Sequence, residues 1–148
     1  MNRREVIAVG LGVGAALVTT DALAETPKAP TPDPRLAVLE TLAACGAKGQ
    51  LCAAHCQSQL AAGAKEFAHC DAAVNDMLAV VWATQSLIAR QSSNAKKLAE
   101  VCAATCRECS AACLEHKAHW AHNMHLECKA CMEACDACAK ACAAFIAA

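Results

Sequence analysis

One spacing constrains this chain more than any other. C-x3-C-x2-C-x3-C occurs at Cys102, Cys106, Cys109 and Cys113, and again at Cys131, Cys135, Cys138 and Cys142. Steps of three and four put each set of four side chains on one face of an α-helix. Two helices carrying such ladders, if packed antiparallel, turn two rows of sulfur toward each other across a shared seam. Whatever the fold is, its interior must accommodate them.

The rest of the chain agrees with a helical reading. All four prolines (Pro27, Pro30, Pro32 and Pro34) lie at or before the start of the first amphipathic segment, and alanine is abundant after them. Asp33-Pro34 reads as an N-cap with proline at the first helical position. A first segment from about Pro34 to Ala61, ending near Gly63, carries the stripe Val38, Leu42, Cys45, Gly49, Cys52, Cys56. A second, from about Lys65 to Arg90, carries Phe67, Cys70, Val74, Met77, Val81, Thr84, Ile88. Gln91 to Asn94 is a polar turn able to cap the third helix. That third segment, from about Ala95 to His116, carries Leu98 ahead of its ladder, and a fourth, from about Asn123 to Ile146, adds Cys128 and Phe145 to its own. No segment alternates with period two. The expectation is an all-α, antiparallel up-down four-helix bundle with a Cys-lined core over residues 34–148.

Residues 1–24 read as an export signal instead of structure. Arg3 and Arg4 form a basic start, Val6–Val18 is too short for the roughly 20 residues of a span, and Ala22-Leu23-Ala24 offers a cleavage site. The paired arginines point to a twin-arginine signal, although Val6 stands where that pattern favours Phe. Residues 25–33 then form a Pro-rich tether. The expected location is exported and periplasmic, with no membrane span once the signal is removed. Taking Arg3, Arg4, Glu5 and Asp21 away leaves the net charge at −1. With no basic stripe and no tyrosine, the composition argues against nucleic acid as a partner.

The 13 cysteines all lie beyond the signal: Cys45, Cys52, Cys56, Cys70, Cys102, Cys106, Cys109, Cys113, Cys128, Cys131, Cys135, Cys138 and Cys142. A density this high in an exported chain ordinarily means disulfides, so a disulfide-stabilised exported helical protein is the alternative reading. Cysteines on one helix face do not bridge readily along it, and an odd count leaves a thiol over. Between Cys102 and Ala144 the large apolar residues are Leu114, Trp120, Met124, Leu126 and Met132, none on the seam the cysteines fill. Alanine and cysteine bury little apolar area, and bound metal supplies the missing stability. Many thiolates without carboxylates select soft ions. Zinc wants closed sets of four, and iron–sulfur clusters want wrapping loops. A rigid ladder suits Cu(I), which accepts two thiolates and shares them between ions. All 13 cysteines are therefore candidate ligands for multiple Cu(I) ions per chain. No catalytic constellation is visible: the C-x2-C pairs lie mid-helix, away from the N-terminal position that activates a thiolate.

Counting residues places Gly63 and Ala118–Ala121 at one end of the bundle. His116, Met124 and His125 lie near that end, and His116 and His125 extend the cysteine stripes of their helices. As weaker copper ligands, they are the candidates for a port that receives and passes on an ion. His119 and His122 read as solvated turn residues, His55 and His69 as bystanders, Met77 and Met132 as core filler, Trp82 and Trp120 as packing. Leu36, Leu39, Ile88 and Leu98 are expected to form an apolar plug at the opposite end.

C-A-A-H-C at Cys52–Cys56, C-A-A-T-C-R-E-C-S-A-A-C at Cys102–Cys113 and C-K-A-C-M-E-A-C-D-A-C-A-K-A-C at Cys128–Cys142 resemble the bacterial copper storage proteins, in particular their exported, twin-arginine-leader branch. The resemblance runs from about Leu36 to Phe145. It implies a four-helix bundle that stores many Cu(I) ions, mostly on pairs of cysteines, to supply copper enzymes or protect against copper toxicity. It also implies a homo-oligomer, tetramers being known in the family, and copper-dependent enzymes or copper chaperones as partners. The family's His/Met port carries over by position onto His116, Met124 and His125.

Overall fold

The computed structural model describes residues 33–148. The export signal over 1–24 lies outside the described residues, as does the tether over 25–33 apart from Asp33. Among the described residues there are four α-helices: α1 (Pro34–Ala61), α2 (Ala68–Ala89), α3 (Ala95–Leu114) and α4 (Leu126–Ala147). Two 3-10 turns, Lys65–Phe67 and Lys117–His122, sit before α2 and before α4. Each helix packs on its sequence neighbours, and α1 packs on α4 to close the ring. With connections this short, that is the antiparallel up-down bundle expected from the stripes.

The boundaries obey local chemistry. Asp33 caps α1 by accepting the Arg35 N–H at 2.9 Å, with Pro34 at the first position. Beyond Ala61, Gly63 takes φ +94°, and Ala64 N–H reaches back to the Gln59 carbonyl at 3.0 Å; a glycine bears that left-handed turn at little cost. The α2–α3 turn differs in detail from the sequence expectation. Asn94 gives no side-chain cap; instead the Ser92 hydroxyl accepts from Asn94 N–H at 3.3 Å. The last connection departs further. Helix α4 begins at Leu126 instead of Asn123, because Asn123 (φ 56°) and His125 (φ 54°) are both left-handed. Left-handed residues other than glycine interrupt a helix and carry strain of about 1–3 kcal/mol each.

The stripes become the core. All 13 cysteines are fully buried, together with Leu42, Phe67, Val74, Met77, Val81 and Thr84. By length and composition Lys65–Ala89 reaches the mark of a membrane span, contrary to the sequence expectation of no second such segment. Its stripe of Cys70, Val74, Met77, Val81 and Ile88 is nonetheless buried in the bundle. The apolar plug is only partly as expected: Ile88 is buried and Leu39 packs against the core, but Leu36 is 52% exposed. Val38 and Leu42 take the inward positions of that first turn, and a helix face three to four residues wide cannot also turn Leu36 inward. Trp82, expected as packing, is half exposed and lays its indole edge over Gly46.

Candidate metal centre

The sulfurs form a continuous column. Five groups of cysteines have all their Sγ atoms within 4.8 Å of one another: Cys52/Cys56/Cys70/Cys128, Cys52/Cys113/Cys131, Cys109/Cys131/Cys135, Cys45/Cys106/Cys135 and Cys102/Cys106/Cys138. Each group shares one sulfur with the next, through Cys52, Cys131, Cys135 and Cys106 in turn. Every helix contributes: α2 supplies Cys70, α1 supplies Cys45, Cys52 and Cys56, and the two ladders of α3 and α4 supply the rest together with Cys128. Cys142 alone stands outside a group, at the far end of the column.

The spacing is that of soft-metal ligands. Sγ atoms lie 3.6 Å apart at Cys70–Cys113, 3.8 Å at Cys52–Cys128, and 3.9 Å at Cys52–Cys70, Cys45–Cys135 and Cys109–Cys131. With a metal–thiolate bond of about 2.3 Å, three ligands around one ion are about 4.0 Å apart and four are about 3.8 Å apart. All 13 cysteines are free thiols, and sulfurs at these separations are far from the roughly 2.05 Å of a disulfide.

Without metal, protons hold the column together. Cys52 is pushed up by its hydrogen bond with Cys113, Cys135 by that with Cys106 and Cys138 by that with Cys102, and burial adds to each. Cys142 is pushed up to about 12, first by its hydrogen bond with Cys102 and then by burial, against a lowering contribution from Cys138. Where a thiolate does form it is sheltered: Cys70 is held below the ordinary thiol value first by Cys113, Cys45 and Cys102 first by Cys106, and Cys131 first by Cys109. The column is therefore a row of mostly protonated thiols in which a metal ion replaces protons.

At the loop end, three imidazoles surround one aromatic ring. Phe67, 2% exposed, stacks on His116 and meets His55 and His125 edge-on, with centroids 5.6 and 4.9 Å away. His125 also faces His55, His116 and His119 at 5.1, 6.0 and 5.2 Å. His125 Nδ1 and His55 Nε2 share a 3.0 Å hydrogen bond, and the Glu127 carboxylate stands 3.6 Å from His55 Nδ1. With a proton on His55 Nδ1, on the side of that carboxylate, His55 Nε2 would accept from His125 and leave Nε2 of His125 unprotonated. Burial, then the neighbouring imidazoles, lowers the pKa of His125 and keeps it neutral. His116 is buried three residues beyond Cys113, and its Nε2 has no hydrogen-bond partner. An orphaned buried nitrogen at the end of a sulfur column is suited to a metal ion.

Of the sequence candidates, the structure brings the cysteines into one column, with His116 and His125 at its loop end. Met124 is not brought in: at 47% exposure it faces outward, because the left-handed residues on either side of it turn the chain away. Sequence reasoning passed over His55, which stands one residue before Cys56 and touches His125 from 70 positions away; its place inside C-A-A-H-C was the signal available. His69 instead bonds Glu115 at 2.8 Å on the surface.

Residues 33–147 match a family described as copper storage protein. No curated protein matches the chain. Among solved structures it resembles the copper storage protein of Streptomyces lividans, determined loaded with 10 copper equivalents, at a TM-score of 0.66 and 24% identity. The alignment covers 77% of this chain and 84% of that one, and the likeness speaks for the fold.

Proposed function

Because the chain belongs to the copper storage protein family, we propose that it holds its copper as Cu(I) on all 13 thiolates of the column. The observation that carries this reading is the sharing of sulfurs between consecutive groups. A thiolate that belongs to two groups is a bridging ligand, and bridging suits a soft, singly charged ion of low coordination number better than it suits zinc. One Cu(I) per thiolate also leaves the buried column nearly neutral, whereas unpaired buried thiolates are costly. Storage is a binding role.

Copper passes through the loop end, where Nε2 of His116 and Nε2 of His125 offer weaker ligands before the first thiolates. The reading extends to the N-terminus: residues 1–24 direct export, by the twin-arginine route that carries folded proteins, residues 25–33 tether the bundle, and the bundle works in the periplasm as a homo-oligomer serving copper enzymes or chaperones. Arg3-Arg4 and the Ala22-Leu23-Ala24 site support this.

An anaerobic titration with Cu(I) against a competing chelator tests the core of the proposal. The expected end point is about a dozen ions per chain, near one per thiol when each thiolate bridges two ions. Unbridged pairs stop at about six ions and closed tetrahedral sets at about three. An end point of about six or fewer overturns the bridged column.

A further inference from the structure

The column contains a sulfur that is not a cysteine. Helix α2 supplies only Cys70 to it, but the same stripe continues through Val74 to Met77, which is fully buried. Met77 Sδ lies 3.7 Å from Cys45 Sγ and accepts its S–H. Cys45 in turn belongs to the group Cys45/Cys106/Cys135, in which its sulfur is 3.9 Å from that of Cys135. The thioether is therefore as close to Cys45 as the thiols are to one another.

Its orientation is fixed from the opposite wall. A Cβ built on Gly49 of α1 falls 2.5 Å from Met77 Cε and 2.9 Å from Leu78 Cδ2. The methyl of Met77 thus occupies the space that a side chain at position 49 would fill. Glycine in mid-helix is unfavourable, and this contact is what the position requires. With Cγ on α2 and Cε seated against the α1 backbone at Gly49, Sδ stands between the two helices and meets the Cys45 S–H on its open side. A methionine acting only as filler is the most adaptable of core residues; this one is held on both sides.

We propose that Met77 Sδ is a ligand to the Cu(I) ion bound by Cys45, Cys106 and Cys135, making a mixed thioether–thiolate site in the middle of the column. The inference rests on the copper-storage reading and adds a fourteenth sulfur to it. Loading exchanges one cation for another: a proton held within the Cys45/Cys106/Cys135 group leaves to solvent, Cu(I) takes its place among the sulfurs, and no electron is transferred. A thioether is soft and neutral, so it adds a bond to Cu(I) without adding charge and offers little to zinc or harder ions.

Selenium absorption spectroscopy tests this directly. The full chain is grown with selenomethionine and carries Met124→Leu and Met132→Leu, so that selenium remains at Met1 and Met77 only. It is then loaded anaerobically with Cu(I), and the bound copper is counted in the same sample. A copper atom at bonding distance from selenium is expected, and it should vanish when Met77→Leu is added, a replacement of similar volume. Selenium with carbon neighbours alone in a copper-loaded sample overturns the thioether ligand and leaves storage by thiolates standing. So does a copper neighbour that persists in the Met77→Leu variant. A sample that takes up no copper overturns the ligand and the storage reading together.

Discussion

The ring of Phe67 lies flat on the imidazole of His116, with centroids 4.2 Å apart and planes 3° from parallel. This pair closes the loop end of the column immediately above Cys113, and an ion entering there has to pass beside it. Shortening Phe67 to Leu should leave the number of bound ions unchanged but speed both uptake and removal by a chelator. The check is stopped-flow transfer of copper to a chromophoric chelator. Complete truncation to Ala should also destabilise the fold by about 3–5 kcal/mol, the range for a buried phenylalanine, visible as a lower midpoint in urea.

Replacing both His116 and His125 with Ala should slow loading more than it reduces capacity. Two imidazoles at the mouth cannot stand in for thiolates in number, but they are the first ligands offered. A variant that loses several equivalents while loading at the normal rate would contradict the port assignment.

The cysteines should not be equivalent. Cys131 belongs to two consecutive groups, while Cys142 belongs to none. Cys131→Ser is therefore expected to remove about two ions from the titration end point, and Cys142→Ser at most one, a hydroxyl being a poor ligand for a soft ion. Equal losses from the two variants would argue that sharing between groups does not govern capacity.

Loading should depend on pH in a definite direction. Thiols held high, such as Cys142 at about 12, are protonated at neutral pH and must release the proton to bind. Uptake at neutral pH should thus acidify a weakly buffered solution, and affinity should weaken as pH falls. The sign for the metal-free fold is opposite to that of a buried carboxylate salt bridge. An acid whose pKa rises from 9.0 to about 12 on folding stabilises the bundle below pH 9 and loses that contribution as pH climbs toward 12. Stability measured across that window should fall for the metal-free protein and stay level for the loaded one.

The metal-free bundle should be helical but loosened. Its seam is sulfur with few large apolar groups, and ions that bind only the folded form raise its stability by mass action. A clear rise in melting temperature on adding Cu(I) is expected from circular dichroism, and superimposable curves would count heavily against the column.

Most of the fold was readable because period and composition agreed along the seam of each helix. The second stripe, from Phe67 to Ile88, is buried at each of its seven residues. What escaped was set by backbone geometry that no periodicity encodes. Asn123 and His125 take left-handed conformations, and those two residues delay α4, expose Met124 and swing His125 against His55. Met77 shows the same limit on the site: its place on the seam was legible, but its approach to Cys45 depends on the empty position at Gly49 on another helix. The thiol ladders themselves were visible because all their information is local.

The shared sulfurs carry one more consequence, for how the protein fills. An ion bound at Cys109/Cys131/Cys135 has already positioned a ligand for each of its two neighbours, so the next ion finds one of its three sulfurs prepared. Occupancy then spreads along the bundle like a zipper from whichever site is taken first. At half saturation a population should then behave as a mixture of filled and empty molecules, a distribution that native mass spectrometry would count.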